Sequence, residues 1–417
     1  MLAVANGVEA TRGASELSIC DSMRLRRARC PARGLLMEVG VVAARGIAHI
    51  NLEALRENFA VARGLSPGLA CIAVVKADAY GHGAVSISRA LVEAGADQLA
   101  VVTVAEGVEL RDAGITRPIL MLGGLHSDSE TQEACAHGLT PTLHHPEGLA
   151  RIRAAARLRN RPWPIHVKVD TGMRRMGVAT SDAAALLADV AQSPELELEG
   201  LYTHLACAED PDPAFSLAQL AEFRGVLKQA RDRGLDPPLI HFANSAGLLA
   251  GESLAKGLPE ATACRPGLML YGALPCPREG VGLRAVMSLR ARVVNLRHLS
   301  PGDTVGYGAT YRATLPTRVA TIPLGYADGV PCALANRGDV WLDGDRRPIV
   351  GRVSMDYLTV DIGSANVALG DEGVLFGQAA DGAFSDGIPV EEVAERAATI
   401  PYEILVRVGQ RIVRHSD

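Results

Sequence analysis

From Gly46 onward, short aliphatic and β-branched runs alternate with longer stretches whose apolar residues return every three or four positions. The short runs, at residues 70–75, 98–103, 118–122, 140–143, 165–169, 198–203, 239–242 and 262–265, read as strands. The longer stretches, at 84–95, 105–114, 146–158, 182–192 and 213–234, read as helices. In the last of them Phe215, Leu217, Leu220, Phe223 and Leu227 form the stripe of a helix packed on a sheet. Strands alternating with helices predict an α/β fold, and eight of them predict a TIM (β/α)8 barrel.

Past about residue 285 the pattern changes. Runs at 290–294, 317–322, 340–342, 358–362 and 374–376 are short and divided by Gly, Pro and Asp, and helical periodicity returns only at 390–397. A mainly β C-terminal domain over 285–417 is expected after a barrel over 45–284. Residues 1–44 lack periodicity and carry the arginine-rich run from Met23 to Arg29. They read as a disordered or extraneous tail, with translation starting at Met37 as one explanation, in preference to a transit peptide.

Composition narrows the function. A formal charge of −5 on 417 residues gives no reason to expect nucleic acid or an anionic membrane as partner. No apolar stretch approaches a membrane span, and the N-terminus lacks a secretory h-region, so a cytoplasmic protein is expected. The eight cysteines (20, 30, 71, 135, 207, 264, 276 and 332) show no metal-ligand spacing and read as reduced thiols.

Functional groups of such barrels collect at the C-terminal ends of the strands. Lys76 ends strand one and runs into Ala77-Asp78-Ala79-Tyr80-Gly81-His82-Gly83. Strand five carries Lys168 and Asp170 and continues into Thr171-Gly172-Met173-Arg174-Arg175. His204 follows strand six, Asn244 and Ser245 follow strand seven, and Arg265-Pro266-Gly267 follows strand eight. Singly, each has a plainer explanation: a solvated lysine, a structural histidine, a Ser245 helix cap, a glycine turn. Together at one rim they describe a site. A lysine projecting from an apolar strand into the mouth can be desolvated, which lowers its pKa and suits it to imine formation and proton transfer. No P-loop or Gly-x-Gly-x-x-Gly fingerprint follows a strand, which disfavours a nucleotide.

These segments resemble bacterial alanine racemases. The likeness rests on residues 73–83, Val167-Lys168-Val169-Asp170-Thr171-Gly172-Met173, Tyr202-Thr203-His204, Ala243-Asn244-Ser245-Ala246-Gly247 and the block from Arg265 to Gly272. It continues through Val305-Gly306-Tyr307-Gly308, Gly325-Tyr326-Ala327-Asp328-Gly329, Gly351-Arg352-Val353-Ser354-Met355-Asp356 and Thr399-Ile400-Pro401-Tyr402-Glu403, spanning roughly residues 45–415 in order.

The resemblance implies pyridoxal 5'-phosphate (PLP) held covalently on Lys76. Tyr80, Ser245, Tyr402 and the backbone of Gly267 and Leu268 would surround its phosphate, with Arg175, His204, Asn244 and Arg265 completing the cofactor site. It implies a homodimer with shared active sites, in which Tyr307, Met355 and Asp356 reach the partner's barrel. Lys76 and Tyr307 would be the two bases that interconvert L- and D-alanine, supplying D-alanine for peptidoglycan, with Arg175 also on the substrate carboxylate. Arg265 would face the pyridine nitrogen and, linked to His204, supply the positive charge that favours a Tyr307 phenolate. Lys168 matches a lysine that is often carbamylated in this family.

Two places depart from the family pattern: Val330 and Cys332 stand where an aromatic and an arginine are expected, and Glu209 stands for an aspartate, followed by Asp210. Both are expected to line the substrate corridor and to bear on entry. A broad-specificity or serine-preferring racemase is the alternative on the same fold. A related decarboxylase is disfavoured by Arg265, and a non-catalytic PLP carrier by the second domain bearing Tyr307.

Overall fold

The computed structural model describes residues 45–275, 280–379 and 387–417; the tail expected over 1–44 lies outside the described residues. All eight expected barrel strands form: Ala70–Val74, Gln98–Val101, Ile119–Met121, Thr140–Leu143, Trp163–Asp170, Leu196–Tyr202, Leu239–His241 and Ala263–Cys264. Each pairs in parallel with its neighbours in sequence, strand eight pairs with strand one, and pairing of strands four and five completes the closed ring. The interior is filled by fully buried side chains such as Ile72, Leu120 and His166, as a packed barrel requires.

The long helix Ala214–Arg231 buries Leu220, Phe223, Val226, Leu227 and Ala230 against the sheet. Phe215, expected in that stripe, is instead 51 % exposed, because the buried face runs through Ser216, Gln219, Leu220 and Phe223 and leaves it to one side. Two barrel helices, Leu52–Leu65 and Asp128–Ala136, are not among those expected, and the second has little amphipathicity. It does carry a readable start, with Ser127 accepting from the Glu130 N–H and Asp128 and Glu130 in the first turn.

Beyond the barrel the chain is mainly β, as expected. A six-strand path runs Asp345–Pro348, Asp339–Leu342, Glu372–Gln378, Met287–Arg292, Ile47–Ile50 and Val413–Ser416. The strand Ile47–Ile50, assigned by sequence to the barrel, thus lies between Met287–Arg292 and the C-terminal strand. Four residues with no local partner carry no signal of which sheet they join; long-range pairing decides it. The chain then crosses to the barrel through the helix Leu52–Leu65. Its buried Asn58 fixes the crossing, donating to the carbonyls of Leu270 (3.2 Å) and Arg284 (2.8 Å) and accepting from the Arg284 N–H (2.8 Å). The hairpin of Thr304–Val305 and Tyr311–Arg312 carries Tyr307 at its exposed tip.

Candidate active site

At the C-terminal mouth of the barrel lies a cavity of about 350 Å3. Strand one delivers Lys76 to it, and the backbone then makes an unusual turn. Ala77, Asp78, Ala79 and Tyr80 all take left-handed dihedrals, with φ of 53°, 53°, 52° and 55°. For residues other than glycine this costs about 1–2 kcal/mol each, so the surroundings must hold it. Glu106 Oε1 accepts the Ala77 N–H (2.8 Å), and Asp78 Oδ1 accepts that of Ala84. The other Glu106 oxygen takes the N–H groups of Val102 and Thr103, tying the turn to the end of strand two. Sequence reasoning missed Glu106, which reads simply as the end of a capping box.

Every residue expected around a phosphate and ring, namely Lys76, Tyr80, Arg175, His204, Asn244, Ser245, Arg265, Gly267, Leu268 and Tyr402, lines this cavity, with Lys168. Sequence reasoning missed Tyr202, Val102 and Met176, which also line it. At one end Ser245 Oγ accepts the N–H groups of Gly267 (3.0 Å) and Met269 (3.2 Å). Ser245 is not the helix cap: Asn244 is, accepting the Gly247 N–H at 2.9 Å. A Cβ at Gly267 would stand 2.6 Å from Tyr80 Oη, so glycine keeps this corner open.

At the other end Arg265, 3 % exposed, lies over the ring of Tyr202 at 4.8 Å. It donates through Nη2 to the carbonyls of Thr203 and Phe242 and to His204 Nδ1 (3.2 Å), and through Nη1 to His241. Its Nε–H has no hydrogen-bond acceptor among the described residues.

The cavity is cationic. Burial and then the Arg175 charge hold the Lys76 amine below its ordinary value. Burial, Arg265 and Arg175 lower Lys168 to about 8. Burial and the same cations lower His204 to about 2. His204 is therefore neutral, and positive charge at this end resides on Arg265, not on the imidazole.

Tyr307, Met355 and Asp356 do not line the cavity of their own chain. Tyr307 is 73 % and Met355 51 % exposed, while Asp356 pairs with Arg411 at 2.9 Å. Of the residues expected in a corridor, Val330 is buried and Cys332 exposed, both beside a separate surface cavity; Glu209 and Asp210 are exposed. Five cysteines, 71, 135, 207, 264 and 332, are free thiols among the described residues.

Comparison with known proteins adds the family. Residues 50–275 match the alanine racemase N-terminal domain and 286–416 the C-terminal domain. An alanine racemase of Geobacter sp. (strain M21) is 41 % identical over 376 residues, covering 88 % of this chain and 97 % of the relative. The alanine racemase of D-cycloserine-producing Streptomyces lavendulae superposes with a TM-score of 0.83 at 37 % identity, over 90 % of this chain and 98 % of that one. That of Bartonella henselae, solved with covalently bound pyridoxal phosphate, gives 0.79 at 31 % identity, over 90 % and 100 %. With both domains matched and the barrel mouth furnished as described, the chain belongs to the alanine racemase family of PLP-dependent isomerases.

Proposed function

We infer that this chain interconverts L- and D-alanine, using Lys76 and Tyr307 on opposite faces of the substrate. The observation that carries this reading is the cavity with a desolvated lysine between a phosphate-sized corner and a buried arginine. The residues fit PLP. Tyr80, Ser245, Tyr402 and the backbone of Gly267 and Leu268 would hold the phosphate, and the Gly267 corner is open because no Cβ fills it. The free Nε–H of Arg265 suits a ring nitrogen that accepts, and a guanidinium leaves that nitrogen unprotonated.

Bound there, PLP withdraws electrons from the Cα of an attached amino acid and makes its proton labile. Lys76, whose neutral form burial and the Arg175 charge favour, would take or return that proton on one face. Tyr307 would serve the other face from a second subunit, since in its own chain it stands in solvent. Met355 and Asp356 would enter with it. A phenol near its reference pKa of about 10 is a weak base at neutral pH. Arg265, acting through neutral His204, would favour its ionised form. Asn244 would brace the cofactor, and Arg175 would hold the substrate carboxylate.

Lys168 would be carbamylated. At about 8 a fraction of its amine is neutral near pH 7, and addition of that nitrogen to carbon dioxide, with loss of a proton, would set an anion among these cations. Exclusion of side chains larger than methyl, and use of the product in peptidoglycan, complete the reading.

The test is chiral analysis of alanine, serine, lysine and arginine turnover by the PLP-loaded protein. Alanine should racemise fastest, and Tyr307→Phe should abolish racemisation while PLP stays bound. Faster lysine or arginine turnover, or an active Tyr307→Phe, would overturn it.

A further inference from the structure

Arg265 presents a problem of charge. It is buried, burial lowers it to about 10, and no carboxylate among the described residues hydrogen-bonds to it. All its acceptors are neutral: two carbonyls, His204 and His241. A buried cation without a counter-ion is costly. The neighbours of His241 supply one. His241 Nε2 is 3.0 Å from His166 Nδ1, His166 Nε2 is 3.2 Å from Glu199 Oε2, and Gln98 Nε2 donates to Glu199 Oε1 at 3.1 Å. Both imidazoles are wholly buried inside the barrel. Glu199 lies level with Gln98, at the start of strand two, on the side away from the cavity.

The protons in this chain can be arranged in one way. A guanidinium only donates, so His241 Nδ1 accepts and its proton is on Nε2. That proton is given to His166 Nδ1, which leaves the His166 proton on Nε2, given to Glu199. Reversing either ring would set two donors or two acceptors face to face. The barrel makes room for this order. A Cβ at Gly200 would stand 2.3 Å from His166 Nδ1, and the Tyr202 ring stacks on His241 at 4.6 Å and 11° while carrying the Arg265 guanidinium.

We propose that Glu199 is the counter-ion and positioning residue of Arg265, its charge relayed through His166 and His241 as neutral Nε2–H tautomers. The carboxylate polarises both rings, strengthens His241 Nδ1 as an acceptor and moderates how strongly Arg265 donates into the cavity. The relay itself is independent of the proposed reaction; only its effect on the cofactor rests on the reading of Arg265 as the arginine at the ring nitrogen.

The test is Glu199→Gln, which removes the charge yet keeps an oxygen for His166, with the Gln98 amide turning over to match. In the cofactor-free protein, 15N NMR of labelled histidine should report Nε2–H for residues 166 and 241. Glu199→Gln should keep those tautomers but shift the ring nitrogens of both. An Nδ1–H tautomer at either, or a shift confined to His166, overturns the relay. In the PLP-loaded protein the same substitution should move the visible band to longer wavelength, because Arg265 donates more strongly. An unmoved band with both rings shifted overturns the effect on the site while leaving alanine racemisation, measured separately, to stand or fall alone. Glu199→Asp, which retains the charge one methylene further back, should shift the rings less than Glu199→Gln; this holds the test should the glutamine variant not fold. A role limited to filling the barrel would leave both spectra unmoved.

Discussion

His82 illustrates what burial does to a single side chain. It is wholly buried, and desolvation lowers it to about 4; burial does the same to His144. The unfolded imidazoles titrate near 6.5, so between pH 6.5 and about 4 the unfolded chain binds more protons than the native one. Native stability is whole above that window and falls as pH drops through it, by about 3 kcal/mol for each ring. Thermal midpoints should therefore fall from pH 6.5 to 4, and His82→Gln should flatten that slope. Gly267 is the steric counterpart. Adding a methyl group 2.6 Å from Tyr80 Oη should weaken PLP binding in Gly267→Ala by about ten- to a hundredfold, the scale of an overpacked contact. A cofactor titration followed by absorbance checks it.

Among elements, the left-handed turn after Lys76 is the one whose conformation its composition does not favour. Three of its four residues are alanine or aspartate followed by tyrosine, none a glycine, and Glu106 holds its first N–H. Glu106→Ala would strand three N–H groups, those of Ala77, Val102 and Thr103, and should cost about 1–3 kcal/mol. The melting temperature should drop, and less cofactor should become fixed to Lys76 on borohydride reduction; an unchanged yield would show that the turn holds itself. The sequence does not announce such a turn, because its strain is local and its support comes from the helix Val104–Asp112, about thirty residues further along the chain. The barrel strands were legible because each apolar run is bounded by Gly, Pro or polar residues. The rim residues were legible because the strand ends place them together. The pairing of Ile47–Ile50 was not, since its partners lie hundreds of residues away. Neither was the His166–His241 contact: each histidine is flanked by aliphatic residues in its strand, a signal of something buried but not of its partner.

For the whole molecule, the question is why Tyr307, the proposed second base, stands in solvent. Tyr307, Met355, Tyr326 and Tyr357 are large and exposed on the C-terminal part of the chain. On the proposed reading, a two-fold dimer that set this surface against the mouth of the partner's barrel would bury it and bring Tyr307 to the partner's Lys76 at once. Each site would then draw its lysine from one chain and its tyrosine from the other. Lys76→Ala and Tyr307→Phe should each be inactive as homodimers. Unfolded together and refolded in equal amounts, they should recover about a quarter of the wild-type rate: half of the dimers are mixed, and each mixed dimer has one site with both bases. Were lysine and tyrosine to act within one chain, every site in the mixture would lack a base and no activity would return.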